Sequence, residues 1–105
     1  MGMPFHASIA AAKGAVEGLV KSLAAEFAPA IRVNAIAPTL TNTALASKLL
    51  RNDRLKEISA ERHPLKKYLE PEEVAELARF VISEKASSMS GQVFEIDCGI
   101  VNLKI

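Results

Sequence analysis

Apolar residues recur through the first quarter of the chain at three- and four-residue steps: Ile9, Ala12, Val16, Leu19, Val20, Leu23 and Phe27. That repeat is one face of an α-helix and predicts a long helix over about 4–28, stopped by Pro29, which cannot continue the backbone ladder. A second stripe of Ala11, Gly14, Ala15, Gly18, Ser22 and Ala25 lies rotated away from the first. Alanine there is a good helix former, but each glycine costs about 1 kcal/mol relative to alanine inside a helix. Close approach of another helix therefore explains the stripe better than propensity does. The pattern then shortens to an apolar run over 31–37, closed by Pro38, as expected of a buried strand. Residues 39–70 are mixed, with short helices predicted around 43–50 and 53–61 and Asp53 placed as an N-cap. Pro71 suits a first helical position, Glu72 and Glu73 complement the helix dipole, and Val74, Leu77, Ala78 and Val81 give an apolar face ending near Ser83. Residues 92–97 alternate as Gln-Val-Phe-Glu-Ile-Asp, a strand pattern, before Gly99.

Helix, strand, long connection, helix, strand is an order that makes the two strands parallel neighbours through one right-handed crossover, with long helices on both faces. The expected fold class is α/β, part of a doubly wound parallel sheet. The first strand should keep its other edge unpaired, and an apolar edge is a template for another chain.

Composition narrows the function. The chain has 105 residues, enough for one small domain burying roughly 65% of its unfolded surface. Its 13 basic and 12 acidic residues leave a net charge of +1, too little to steer nucleic acid or an anionic membrane. The single Cys98 excludes an internal disulfide, and neither a spanning apolar run nor a secretory leader is visible, so a cytoplasmic location is expected.

The stretch from Ile9 through Lys13 to Leu19, followed by Ile31-Arg32-Val33-Asn34-Ala35-Ile36-Ala37-Pro38, resembles the short-chain dehydrogenase/reductase family. In that family a tyrosine four residues before a lysine lies on a helix leading to an R-V-N-x-x-x-P-G strand at the floor of the nicotinamide site. The resemblance continues in Glu70-Pro71-Glu72-Glu73-Val74-Ala75, like the family's P-E-E-V-A helix start, and in 90–99, like its closing S/T-G-Q-x-x-x-V-D-G-G strand. Each piece alone is weak, whereas three in order at matching spacing are specific. The departures are Ile9 for tyrosine, Thr39 for glycine and Cys98 for the first glycine of the closing pair.

This resemblance implies a Rossmann-like fold of which 1–105 is the C-terminal, substrate-side half, with the glycine motif for the pyrophosphate expected upstream. It implies hydride transfer between NAD or NADP and a carbonyl, alcohol or enoyl substrate, with little activity expected from this half alone. The rival is a non-enzymatic association module, pairing with a second copy or with a complementing N-terminal half.

By the same resemblance, Lys13 matches the lysine that binds the nicotinamide ribose and lowers the pKa of the catalytic tyrosine. On composition alone, an ordinary solvated lysine at the edge of the apolar face is the more common case. Ile9 cannot move a proton. His6 lies seven residues before Lys13, nearly on the same helical face, the spacing used by the tyrosine of enoyl-thioester reductases; its alternative is a polar residue at a helix start. Pro38, Thr39, Thr41 and Thr43 resemble the loop that binds the nicotinamide carboxamide, and turn or cap roles suit the threonines as well. Asn34 and Asp97 read as structural, and His63, Tyr68 and the Lys66-Lys67 pair as solvated loop residues. Neither histidine stands in metal-ligand spacing with Cys98, so no metal site is expected.

Overall fold

The computed structural model describes residues 7–103, with side-chain environments from residue 11 onward. Its elements are helix α1 (Ala7–Phe27), strand β1 (Ala35–Pro38), a 3-10 turn (Ala44–Ala46), helix α2 (Asp53–Glu61), helix α3 (Pro71–Val81), a second 3-10 turn (Glu84–Ala86) and strand β2 (Val93–Ile96). β1 and β2 pair in parallel: Gly91 N–H donates to Val33 O, Ala35 N–H to Gln92 O and Thr39 N–H to Ile96 O, numbers that climb together on both strands. Among the described residues β1 has no second strand neighbour. No helix among them is long and apolar enough to cross a membrane.

The residues group into two compact units, one with α1, the chain on to Ile36 and Phe80–Phe94, the other with Ala37–Arg79 and the chain from Glu95. In the first unit, Val20, Ala24, Val81 and Ala86 are buried. The α1 stripe is only partly used: Val16 is 53% and Leu19 56% exposed. The small-residue stripe has no partner among the described residues either, since a Cβ built on Gly14 or Gly18 would meet nothing within 4 Å. Gly91 differs. Its φ of +71° is one that side-chain-bearing residues avoid, and a Cβ there would stand 3.4 Å from that of Ala24.

β1 begins later than the apolar run suggests. At 33–34 side chains do part of the pairing: Ser90 Oγ accepts from Val33 N, Asn34 Nδ2 donates to Met89 O at 3.0 Å, and Asn34 Oδ1 accepts from Gln92 N at 3.1 Å. The structural reading of Asn34 holds for that reason.

In the second unit, Leu50, Leu69, Ser59, His63 and Cys98 are buried. The 43–50 region closes i→i+3 bonds from Ala46 N to Thr43 O through Leu50 N to Ser47 O, so it forms tight turns where a short helix was expected. α2 is capped by Asn52, whose Oδ1 accepts from Leu55 N at 2.9 Å, and Asp53 moves to the first helical turn, where its charge meets the dipole. α3 opens with half of a capping box: Glu73 Oε2 accepts from Glu70 N at 2.8 Å, while Glu73 N donates to the Glu70 main-chain carbonyl at 3.0 Å. After β2, Asp97 accepts from Gly99 N at 3.0 Å and Val101 N at 3.4 Å, turning the chain through Cys98 and Gly99, both at positive φ.

Candidate functional site

Strand β1 delivers Pro38 to the start of a loop that the second unit fastens at several points. Leu69 N donates to Leu40 O at 2.9 Å and Asn42 N to Leu69 O at 2.8 Å, a parallel bridge between Thr41 and Leu69. Leu69 is 2% exposed, so its two main-chain bonds are shielded from water, and Asn42 Nδ2 adds a bond to Glu70 Oε2 at 3.1 Å. Inside the loop, Thr41 Oγ1 donates to Thr39 O at 2.9 Å.

The Thr39 hydroxyl lies 2.7 Å from His63 Nε2, and His63 Nδ1 lies 2.8 Å from Ser59 O. A carbonyl oxygen only accepts, so Nδ1 must carry a proton; in the neutral ring Nε2 is then an acceptor and Thr39 Oγ1–H donates to it. His63 is 3% exposed. Reading it as a solvated loop residue was therefore wrong: the end of α2 folds over it, and both ring nitrogens are satisfied. The available signal was local, a histidine just past a helix end and four residues after Ser59, whose carbonyl has no helical partner there.

The structure thus brings Pro38, Thr39, Thr41 and Thr43 together in one loop, with Thr39 and Thr41 hydroxyls turned inward. Thr43 is extended, with φ −129° and ψ 170°, at the N-cap position of a 3-10 turn, and its exposed side chain makes no capping bond. A nicotinamide carboxamide presents a carbonyl acceptor and an NH2 group with two donors, and a threonine hydroxyl, able to donate and accept, fits either in chemical type. Lys13 belongs to the other unit, on an exposed stretch of α1. Ile9 lies in the same helix, four residues earlier. His6 lies outside the described residues.

Electrostatics near the loop centre on Lys67 and Glu73, which form an ion pair. The hydrogen bond to Glu73 holds the Lys67 ammonium above its usual range, and Lys67 together with the Glu70 N–H holds the Glu73 carboxyl below its own. Burial pushes the Cys98 thiol up, with Lys67 opposing and Glu73 and Asp97 reinforcing, so Cys98 stays a thiol and a poor nucleophile.

A parallel strand pair with a fastened loop at the carboxyl end of its first strand is a piece of a parallel α/β sheet. Comparison with known proteins makes the class specific. Residues 1–101 match the family model described as enoyl-(acyl carrier protein) reductase. The chain is 35% identical to 2-(S)-hydroxypropyl-CoM dehydrogenase 3 of Xanthobacter autotrophicus, over 95% of this chain and 41% of that protein. It is 39% identical to inactive 2-(S)-hydroxypropyl-CoM dehydrogenase 2 of the same organism, over 95% of this chain and 46% of that one. A solved 4-hydroxyisoleucine dehydrogenase complexed with NADH superposes with a TM-score of 0.90 at 31% identity, covering 99% of this chain and 43% of that structure. The chain belongs to the short-chain dehydrogenase/reductase family. It spans a little under half the length of these relatives.

Proposed function

We propose that the chain supplies the substrate-side portion of an NAD(P)-dependent oxidoreductase acting on a carbonyl, alcohol or enoyl substrate. The observation that carries this reading is the loop after β1, where Thr43 is exposed without a capping bond while Thr39 and Thr41 brace the backbone. Thr43 and the main chain around it would hold the carboxamide. The cofactor, when bound, supplies or accepts the hydride. Lys13 would bring a cation to the ribose, and His6 would donate the proton that Ile9 cannot. Pyrophosphate binding needs a glycine-rich turn at a helix N-terminus, which 1–105 does not contain, so this chain should act with a portion that supplies it. One set of measurements tests the reading. Alone, the chain should show no micromolar calorimetric binding of NADH or NADPH; joined to the glycine-motif portion of a relative, it should bind one of them and reduce a carbonyl substrate. His6→Ala in the joined protein should bind as before and lose turnover. A joined protein that binds neither nucleotide refutes the function, and turnover retained in His6→Ala removes the histidine from it.

The second reading, association without chemistry, is favoured by α1, where residues 11–19 are exposed on every side, Val16 and Leu19 included. We propose that this helix packs against a second copy, its glycines admitting close approach. Gly18→Leu would put bulk at that contact, and overpacking of about 1–3 kcal/mol should weaken association roughly 5- to 150-fold. Sedimentation velocity would show it as a shift to the monomer. A wild-type monomer, or an oligomer indifferent to the substitution, rules this reading out.

A further inference from the structure

We propose that His63 is a positioning residue for the loop after β1, acting through the Thr39 hydroxyl, an inference that rests on reading this loop as the nicotinamide side of the site. Three contacts form one chain: Ser59 O accepts from His63 Nδ1 at 2.8 Å, His63 Nε2 accepts from Thr39 Oγ1 at 2.7 Å, and Thr39 O accepts from Thr41 Oγ1 at 2.9 Å. The end of α2 thereby fixes a ring, the ring fixes a side chain, and that residue's own carbonyl fixes the next threonine. His63 is 3% exposed, so the Thr39 bond is made away from water, where losing it leaves a buried nitrogen unpaired.

Thr39 is the residue that makes this possible. The family resemblance places glycine after Pro38, and a glycine has no hydroxyl to offer an imidazole. A side chain in place of glycine restricts the backbone, and the bond to His63 sets which conformation is kept. The geometry also fixes the tautomer: the neutral ring must carry its proton on Nδ1, because Ser59 O cannot donate. His63 touches no reacting group and acts only through Thr39.

Amide hydrogen exchange and imidazole nitrogen NMR on the full chain, without nucleotide, test this directly. Thr39→Val keeps the shape and deletes the hydroxyl. It should speed exchange at the Thr39 and Asn42 amides, bonded to Ile96 O and Leu69 O, about tenfold, and leave Ala35 and Gly91 in the other unit unchanged. Thr39→Ser should restore the wild-type rates. In the wild type, the neutral ring should carry its proton on Nδ1, with Nε2 bare. Unchanged exchange in Thr39→Val, an equal acceleration at Ala35 and Gly91, or a proton on Nε2 in the neutral ring overturns the proposal. These readouts need no cofactor, so a failure of nucleotide binding would strike the functional reading and not this one.

Discussion

Gly99→Val should destabilise the chain by about 3–5 kcal/mol. Two separate causes add. Gly99 sits at φ +84°, where a residue with a side chain is strained by about 1–2 kcal/mol and a β-branched one by more. Space is also lacking: a Cβ there would lie 2.8 Å from Leu103 Cδ1 and 3.1 Å from Pro64 Cβ. The leucine tip can swing aside, but the proline ring is rigid and held in place by its neighbours, since Leu65 N donates to Cys98 O at 3.1 Å. Valine adds two methyl groups to that contact, and overpacking costs about 1–3 kcal/mol. Total stability for a chain of this size is about 5–15 kcal/mol, so the variant should approach the point where the fold is lost. The urea midpoint measures it, and a Gly99→Val protein within about 1 kcal/mol of wild type would show that the turn tolerates rearrangement.

Cys98, immediately before, also has positive φ, at +53°, and yet is not glycine. Its side chain is buried, which offsets part of the backbone strain and explains how the chain departs from a glycine pair without losing the turn. The same distinction governs what was legible in the sequence. α3 could be read from Pro71-Glu72-Glu73 because helix starts are set by neighbours three residues apart, and β2 from its alternation because a strand half buried writes a period of two. Their parallel pairing followed from the order of elements alone. The start of β1 could not be placed, because whether 31–34 pairs through main chain or through Asn34 and Ser90 depends on a segment more than fifty residues away. Helix α1 was visible as a repeat, but not the fact that, among its described side chains, only Val20 and Ala24 are buried. At the candidate site, the threonine loop was marked by its likeness to the family, while the inward turn of Thr39 was hidden. It depends on His63, 24 residues later, and an isolated histidine beside a lysine pair carries no mark of burial.

Arg32→Ala should cost about 2–4 kcal/mol, and Arg32→Lys most of the same, although lysine keeps the charge. The guanidinium donates from Nη1 to Val81 O at 3.1 Å and Met89 O at 3.2 Å, and from Nη2 to Ser83 O at 3.3 Å. Those acceptors stand at the last residue of α3, in the turn beyond it and just before Ser90-Gly91. One planar group thus closes the carboxyl end of a helix, where a positive charge also meets the dipole, and ties it to the segment that starts β2. Charged donors to carbonyls contribute about 1.5–3 kcal/mol each when shielded, and because Arg32 is half-buried the three together are set at the lower total given above. A lysine ammonium offers a single nitrogen on a flexible stem and cannot serve three carbonyls spread across two turns. It should retain the dipole contribution of about 0.3–1 kcal/mol and little else. Exchange should localise the damage: the Ala35 and Gly91 amides, which pair the segments Arg32 joins, should lose protection, while Asn42 in the other unit keeps its own. Should Arg32→Lys match the wild type in urea midpoint and in Ala35 protection, charge alone would account for Arg32 and the three-carbonyl fork would carry no stability.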